Sequence, residues 1–335
     1  GFKAEQIDAL DSKAVSGFKA EQIDALDSNA VSGFKAEQID ALDKKAVSGF
    51  KAEQIDALDK KAVSGFKAEQ ISNISPSAVS ALDKRQMKQL SPEAVAGFTE
   101  DQFVEIKPKA LKAFSADQVS NLSKSIVREM GDDQLEALPV KSFAGFTQDQ
   151  AKSLPVSFLE DVGAKLISKF SPKAVSGFKP KQVSMLPPSA ISGFDAAQVS
   201  KMKPKSFISL SSEQLSSLQA DSITGLKPKH ISKIPVDLFD DFDSDQISSF
   251  ALKSVSKIKP AALNALSADQ ISGFTNPQLQ AFSRKQVRRV DDGFVDSLSS
   301  SQFDAFKLAG ASKRYDEVEE FGAIENLFSA DSFLF

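Results

Sequence analysis

Cysteine is absent from the 335 residues. Disulfides, thiolate zinc sites and a cysteine nucleophile are therefore excluded. There is one histidine, His230. A lone imidazole builds neither a His-based metal site nor an obvious catalytic triad. Tryptophan is missing, and 27 of the 28 aromatic residues are phenylalanine, with one tyrosine. No apolar run reaches membrane-spanning length, and no secretory leader is visible. The chain opens on a repeat boundary without methionine, which reads as a fragment or processed product. A net charge of −4 among 41 basic and 45 acidic residues gives no bulk attraction to nucleic acid. Basic clusters are sparse, among them Lys84-Arg85, Arg284-Lys285 with Arg288-Arg289, and Lys313-Arg314, without exposed aromatics interleaved.

What is present is a repeat. The sixteen residues GFKAEQIDALDSKAVS open the chain and recur almost unchanged at Gly17, Gly33 and Gly49. Each unit is two octads. Numbering every octad 1 to 8, positions 2 and 7 are apolar in all 38 octads through Asp304, with no insertion or deletion. Such a run is a repeat architecture. Residues 1–64 are near-identical copies; residues 65–304 keep the frame and diverge.

Proline shows that the octads are not one long helix. Nine of the 14 prolines stand at position 4, four at position 3 and one at position 5. Proline suits the first helical turn and breaks a helix interior. A new short helix is therefore predicted near position 4 of every octad. Position 3 is often Ser, Thr or Asp, and position 6 is often Gln. Thr99–Gln102, Ser115–Gln118, Thr147–Gln150, Ser211–Gln214 and Asp243–Gln246 read as capping boxes, with positions 2 and 7 as a hydrophobic staple. Lys3, Lys19, Lys35 and Lys51 depart from this, lysine being a poor cap.

Eleven of 16 glycines open an odd-numbered octad. A glycine just past a helix suggests a left-handed C′ residue and a structural rung of 16 residues with two helices. Ordering eight residues opposes folding by more than burying two apolar side chains favours it, so neighbouring rungs must complete each core. The expected fold is an all-α solenoid of short helices, its 8-residue octads paired into 16-residue rungs. Residues 1–304 form the repeat and 305–335 a C-terminal cap and tail. Ser312–Phe328 has helical apolar spacing for a capping helix. Phe333–Phe335, unusually apolar, either packs on that cap or acts as a docking or export signal.

No catalytic, cofactor-binding or metal-binding residue set emerges, and no cofactor is expected. His230, at position 6, reads as a stand-in for Gln. Asp240, Asp241, Asp243 and Asp245 lack the glycine and distal glutamate of a calcium loop, leaving weak cation binding as the minor reading. The Gln series from Gln6 to Gln118 reads first as capping and second as a ladder contacting a partner strand or glycan. On either reading, Gln→Glu is expected to spare the fold. Asp161–Ser168, with Gly163 at the cap position, and the shifted Ala262/Gln270 pair read as drift or as bends.

Octads such as FSADQVSN, LSPEAVAG and LSADQISG resemble the "L-T/S-x-x-Q-V-x-x" repeats of large bacterial surface and secreted proteins. The resemblance covers residues 1–304. It implies export, adhesion or a surface-layer role, in the extracellular space or at the cell surface, and carries over no functional residues. The expected function is non-enzymatic: a stalk, filament subunit or adhesin-like spacer that self-associates end to end, with self, another protein or a glycan as partner. The alternative is an intracellular scaffold or peptide-binding solenoid using its concave face.

Overall fold

A computed structural model describes residues 1–311. It holds 35 α-helices and three 3-10 helices, one in every octad. Among the described residues there is no strand. The chain divides into two compact units, 1–178 and 179–335. Each is a solenoid of the same helices.

The helices start where proline requires. Pro76, Pro92, Pro108, Pro172, Pro180, Pro188, Pro204, Pro228 and Pro260 each stand at the first helical position. The missing N–H there would have had no intrahelical partner anyway. Pro139, Pro155, Pro187 and Pro235 stand one residue earlier, at the N-cap. All five predicted capping boxes form. In Thr99–Gln102 the Thr99 N–H donates to Gln102 Oε1 at 2.9 Å, and the Gln102 N–H donates to Thr99 Oγ1 at 3.2 Å.

The core is built on positions 2 and 7, joined in many alternate octads by a buried apolar position 6 such as Ala46, Ile126 or Phe158. Position 7 is almost completely buried from Ile7 and Val15 through Leu279 and Val287. Position 2 is buried from Phe34 through Phe282, while Leu10, Phe18, Leu26, Val290 and Leu298 are half-buried and Phe2 is 47% exposed. Thus about four octads must be laid down before the next apolar row is covered. Where larger side chains enter, they cluster: Phe143 stacks on Phe146 at 5.0 Å and on Phe158 at 5.9 Å.

The winding is wider than a two-helix rung. Within each unit the helices pack mainly against the third helix along, as Ala4–Asp8 does on Ser28–Val31 and Ser12–Val15 on Ala36–Ala41. Side-chain bonds between turns span 25 to 31 residues. A turn therefore holds between three and four octads. The sixteen-residue period is real in the side chains, but it marks which corners are alike and is not the length of a turn.

Glycine explains that period differently from a helix cap. No described residue, glycine included, has a positive φ, so the left-handed C′ reading does not hold. A Cβ on Gly33 or Gly49 would instead land on the backbone carbonyl of Ala4 or Ala20 in the preceding turn, far inside contact distance. Glycine is there because two backbones meet. Gly17, in the first turn described, meets only the Ala14 carbonyl oxygen at 3.5 Å.

At the other end Ser300–Ala311 starts inside the last octad and continues for 12 residues, packing on Asn276–Gln280 and Arg284–Val287. The expected cap at Ser312–Phe328, Lys313-Arg314 and the tail Phe333–Phe335 lie outside the described residues.

The glycine contacts predict a contrast. Gly49→Ala should lower stability by about 1–3 kcal/mol, the usual effect of overpacking. Gly17→Ala should change it by less than about 0.5 kcal/mol. Chemical denaturation of the two variants checks this; equal effects would rule out the close approach as the reason for glycine.

Candidate functional site

The most elaborate side-chain arrangement in the molecule repeats along the seam between turns. It is built on the position-6 glutamines. Gln70 lies in the short helix Ala68–Ile71, capped from Lys67, and is 1% exposed. Its Oε1 accepts from the Lys67 N–H at 2.8 Å. Its Nε2 donates to the Ile39 carbonyl at 2.7 Å and the Leu42 carbonyl at 2.8 Å. One amide thus joins the start of one helix to the corner following a helix in the preceding turn. Gln38, Gln54, Gln86, Gln102 and Gln118 repeat the same two bonds, to carbonyls 31 and 28 residues earlier.

The capping role predicted for these residues is present, but it uses only the oxygen. The ladder reading is overturned from Gln38 to Gln118: these amides are buried and fully used, so no partner strand or glycan can reach them. The expectation that glutamate would spare the fold falls too. A carboxylate has no N–H for the two carbonyls it would face.

Lysine at the cap position finds its reason in the same seam. Lys35 Nζ reaches back to Asp8, donating to its carbonyl at 3.0 Å and pairing with its Oδ1 at 3.0 Å. Lys51 does the same to Asp24, and Lys67 to Asp40. Each unit thus carries both halves of the pair. These pairs are about half exposed, and exposed ion pairs contribute only about 0.2–1 kcal/mol. Their value is positional: they select lysine where a better cap would otherwise stand.

His230 confirms the logic by substitution. It is fully buried; Nδ1 accepts from the Lys227 N–H at 2.9 Å, so Nε2 carries the proton and donates to the Met202 carbonyl at 2.8 Å. Histidine has one donor where Gln has two, so only the carbonyl 28 residues back is engaged. Burial holds its pKa below the ordinary value, and Lys229 and Lys227 push the same way, against the Met202 bond. Serine makes a shorter version at the alternate octads: Ser222 and Ser254 donate to Phe194 and Leu226 carbonyls, each at 2.6 Å.

The two irregular segments keep the frame. Leu166 stands where Gln is expected and cannot donate, yet Ala164–Ile167 still forms behind Gly163. Around Ala262 the clamp changes octads: Gln270, Gln278, Gln286 and Gln302 all reach back to carbonyls 28 residues earlier. Third-along packing continues through this stretch, so the change of residue type leaves the winding intact.

The acidic stretch is occupied with structural work. Asp243 Oδ1 accepts from the Gln246 N–H at 2.7 Å, and Asp241 Oδ2 accepts from Ser212 Oγ at 2.6 Å. Among the described residues no three His, Cys, Asp or Glu side chains converge as a metal site, and no helix is long and apolar enough to cross a membrane. Asp83 is committed locally as well, its Oδ1 accepting from the Arg85 and Gln86 N–H groups at 2.7 and 2.8 Å. Burial raises its pKa, but hydrogen bonds from the Gln86 and Arg85 backbones and the adjacent guanidinium outweigh that and hold it below the ordinary value.

Neither a protein-family model nor any curated protein matches the chain.

Two outcomes follow from the seam. Gln70→Leu should cost about 2 kcal/mol by stranding buried carbonyls. Gln70→Glu should cost more at pH 7 and partly recover as pH falls, because the buried acid's folded pKa would lie above its unfolded value. Denaturation at pH 7 and pH 5 decides it; a glutamate variant as stable as wild type at pH 7 would remove the clamp from the account. His230→Gln should stabilise by about 0.5–1.5 kcal/mol through the regained bond. The histidine's folded pKa is depressed, so its contribution is complete above the unfolded pKa near 6.5 and declines as pH falls below it. The advantage of His230→Gln should therefore grow from pH 7 to pH 5; a difference independent of pH would contradict the neutral buried imidazole.

Proposed function

We propose that this chain is a non-enzymatic structural repeat protein: a stalk, filament subunit or adhesin-like spacer whose product is the stacked turn itself. The observation that carries this reading is that the near-identical copies in residues 1–64 spend their distinctive side chains on each other. Gly33 and Gly49 admit the neighbouring backbone, Gln38 and Gln54 clamp it, and Lys35 and Lys51 pair with it. Identical turns give no turn a dedicated pocket; they supply length and a regular surface. Placement at a cell surface or in the extracellular space is motivated by the octad resemblance alone. The scaffold alternative gains nothing from the exposed apolar side chains, since Val104, Met185 and Leu252 stand far apart in sequence on separate turns.

If copy number sets length, inserting further 32-residue pairs of units within residues 1–64 should lengthen the particle in equal steps. Each step should be about 10 Å, the spacing of packed helices. Small-angle scattering of the insertion series measures this; a maximum dimension that stays constant would defeat the spacer reading.

A further inference from the structure

We infer that an exposed lysine stripe across residues 179–253 is a binding face for a linear anionic polysaccharide, a sugar polymer carrying carboxylate or sulfate groups along its length. The inference goes beyond the spacer reading and does not rest on it. Its basis lies in the divergent repeats, where charge is sorted as it is not in the near-identical copies.

The sequence Lys-Pro-Lys stands at 179–181, 203–205 and 227–229, at intervals of 24 residues. That interval is three octads, the one at which helices pack. Pro180–Ser184 packs on Pro204–Phe207, Pro204–Phe207 on Pro228–Ile231, and Pro228–Ile231 on Leu252–Val255, which carries Lys253. The motifs therefore fall on touching helices. Each proline is the first helical residue, so one lysine is held at the cap and the other at the second helical position. The lysines of the three motifs and Lys253 are exposed, and these four helices and their caps contain no acidic residue. With neighbouring helices about 10 Å apart, the stripe runs for roughly 30 Å.

Local stability does not account for these lysines. At the cap, Lys179, Lys203 and Lys227 supply no side-chain bond, where Ser, Thr or Asp would. In the near-identical copies a cap lysine has a partner: Lys67 pairs with Asp40, 27 residues earlier. The residue 27 before Lys227 is Ser200. The lysine is kept and its carboxylate is gone. Among the described residues no lysine of the stripe has an ion-pair partner.

The acids are gathered alongside. Ala196–Lys201, Ala220–Ile223, Ser244–Ser248 and Ala268–Ser272 also pack in succession. At their caps and first two helical positions they carry Asp195, Asp221, Asp243, Asp245 and Asp269, all exposed, and no basic residue. The first three lead directly into Pro204–Phe207, Pro228–Ile231 and Leu252–Val255, so an acidic stripe borders the basic one. Residues 1–64 are not sorted in this way: every octad but the one holding Asn29 has both signs at those positions.

This pattern specifies its occupant. A run of one sign with an opposite border binds an extended chain of the other sign and holds it to one path. The acidic stripe of a second copy has the right sign, but exposed ion pairs are individually too weak to offset the entropy lost when two folded chains join. A polyanion brings condensed counterions, whose release supplies the drive. Nucleic acid shares that term, yet single-strand sites add aromatic platforms and arginine, and the stripe exposes neither. Ammonium groups without planar forks suit carboxylates or sulfates spaced along sugars.

The test titrates the full chain into fluorescent alginate and dextran sulfate, the carboxylate and sulfate probes, at about 50 mM salt, with poly(dT) alongside. Saturable binding of at least one polysaccharide is expected, and the tighter of the two assigns the anion. Lys203→Gln, Lys205→Gln, Lys227→Gln and Lys229→Gln combined should weaken it at least about tenfold and lower the salt slope by about 2–3. The thermal midpoint should stay within about 2 °C. Removing four charges elsewhere, by Lys13→Gln, Lys45→Gln, Lys60→Gln and Lys61→Gln, should change affinity by less than about twofold. Equal loss in the two variants would reduce the effect to net charge and overturn the inference. So would poly(dT) binding tighter than both polysaccharides, or no polysaccharide binding up to about 100 µM. Asp221→Asn with Asp245→Asn should tighten binding about two- to threefold by lifting the border's repulsion; unchanged or weaker affinity would overturn the assigned path. The insertion series above can fail with polymer binding intact, or succeed without it, so the two readings are separable.

Discussion

The structure depends on one buried carboxamide per seam. A helix of four to six residues is all ends: its first N–H groups and last C=O groups lack intrahelical partners, and here every octad is such a helix until the last. Burying those ends unpaired would be prohibitive. The position-6 Gln answers both demands at once. Its oxygen takes the N–H at the entrance of its own helix, and its two N–H bonds take carbonyls at a corner of the preceding turn. Glycine shares the Gln period because it serves the same contact. Gly65 at the start of an odd octad lets that octad's backbone come down on Ala36, close to the Ile39 and Leu42 carbonyls that Gln70 grips.

The coupling also explains why apolar burial can be so economical. Two or three apolar positions in eight form the core, and a row of such residues closes only when a further turn covers it. The clamp fixes how turns meet, so that a Phe at position 2 faces its counterparts edge-on, as Phe34, Phe50 and Phe66 do with ring centroids 6.2 Å apart. Hydrogen bonding sets the register and hydrophobic contact supplies the cohesion. Loss of a single clamp, as at Leu166, leaves its helix in place, the behaviour of a fold whose terms are local and nearly additive.

Much of this was legible in the residues. Pro76 and its equivalents located the helix starts of their own octads, since proline excludes all but the first turn, and the unbroken frame carried that start to the others. The Ser, Thr and Asp caps followed from the same local chemistry, and His230 was readable as a replacement for Gln. What could not be read was anything that depends on the number of octads in a turn. A pattern that repeats every eight residues is equally consistent with two, three or four octads per turn, so the carbonyls 28 and 31 residues before each Gln had no local signature. Glycine at position 1 was misread for a related reason: a left-handed residue and a close backbone contact call for the same amino acid. Lys35 looked like a bad cap because its partner, Asp8, sits 27 residues away. The lysines and aspartates recurring together in every copy were the available signal.

Identity and divergence along the chain have different consequences for specificity. In residues 65–304 the seam is individual. Position 7 is Phe at 143 and 207 but Ala at 151, and the clamp is Gln, His or Ser by turn. A turn matched to Phe207 overfills the space made for Ala151, so a wrong pairing strains or leaves a void. In residues 1–64 that discrimination is gone. Every turn offers the same glycine gap, the same amide donors and the same Lys–Asp complement, and only chain connectivity selects the correct neighbour. The repeated segment is therefore the part of the chain whose copy number can change without altering the contacts between turns.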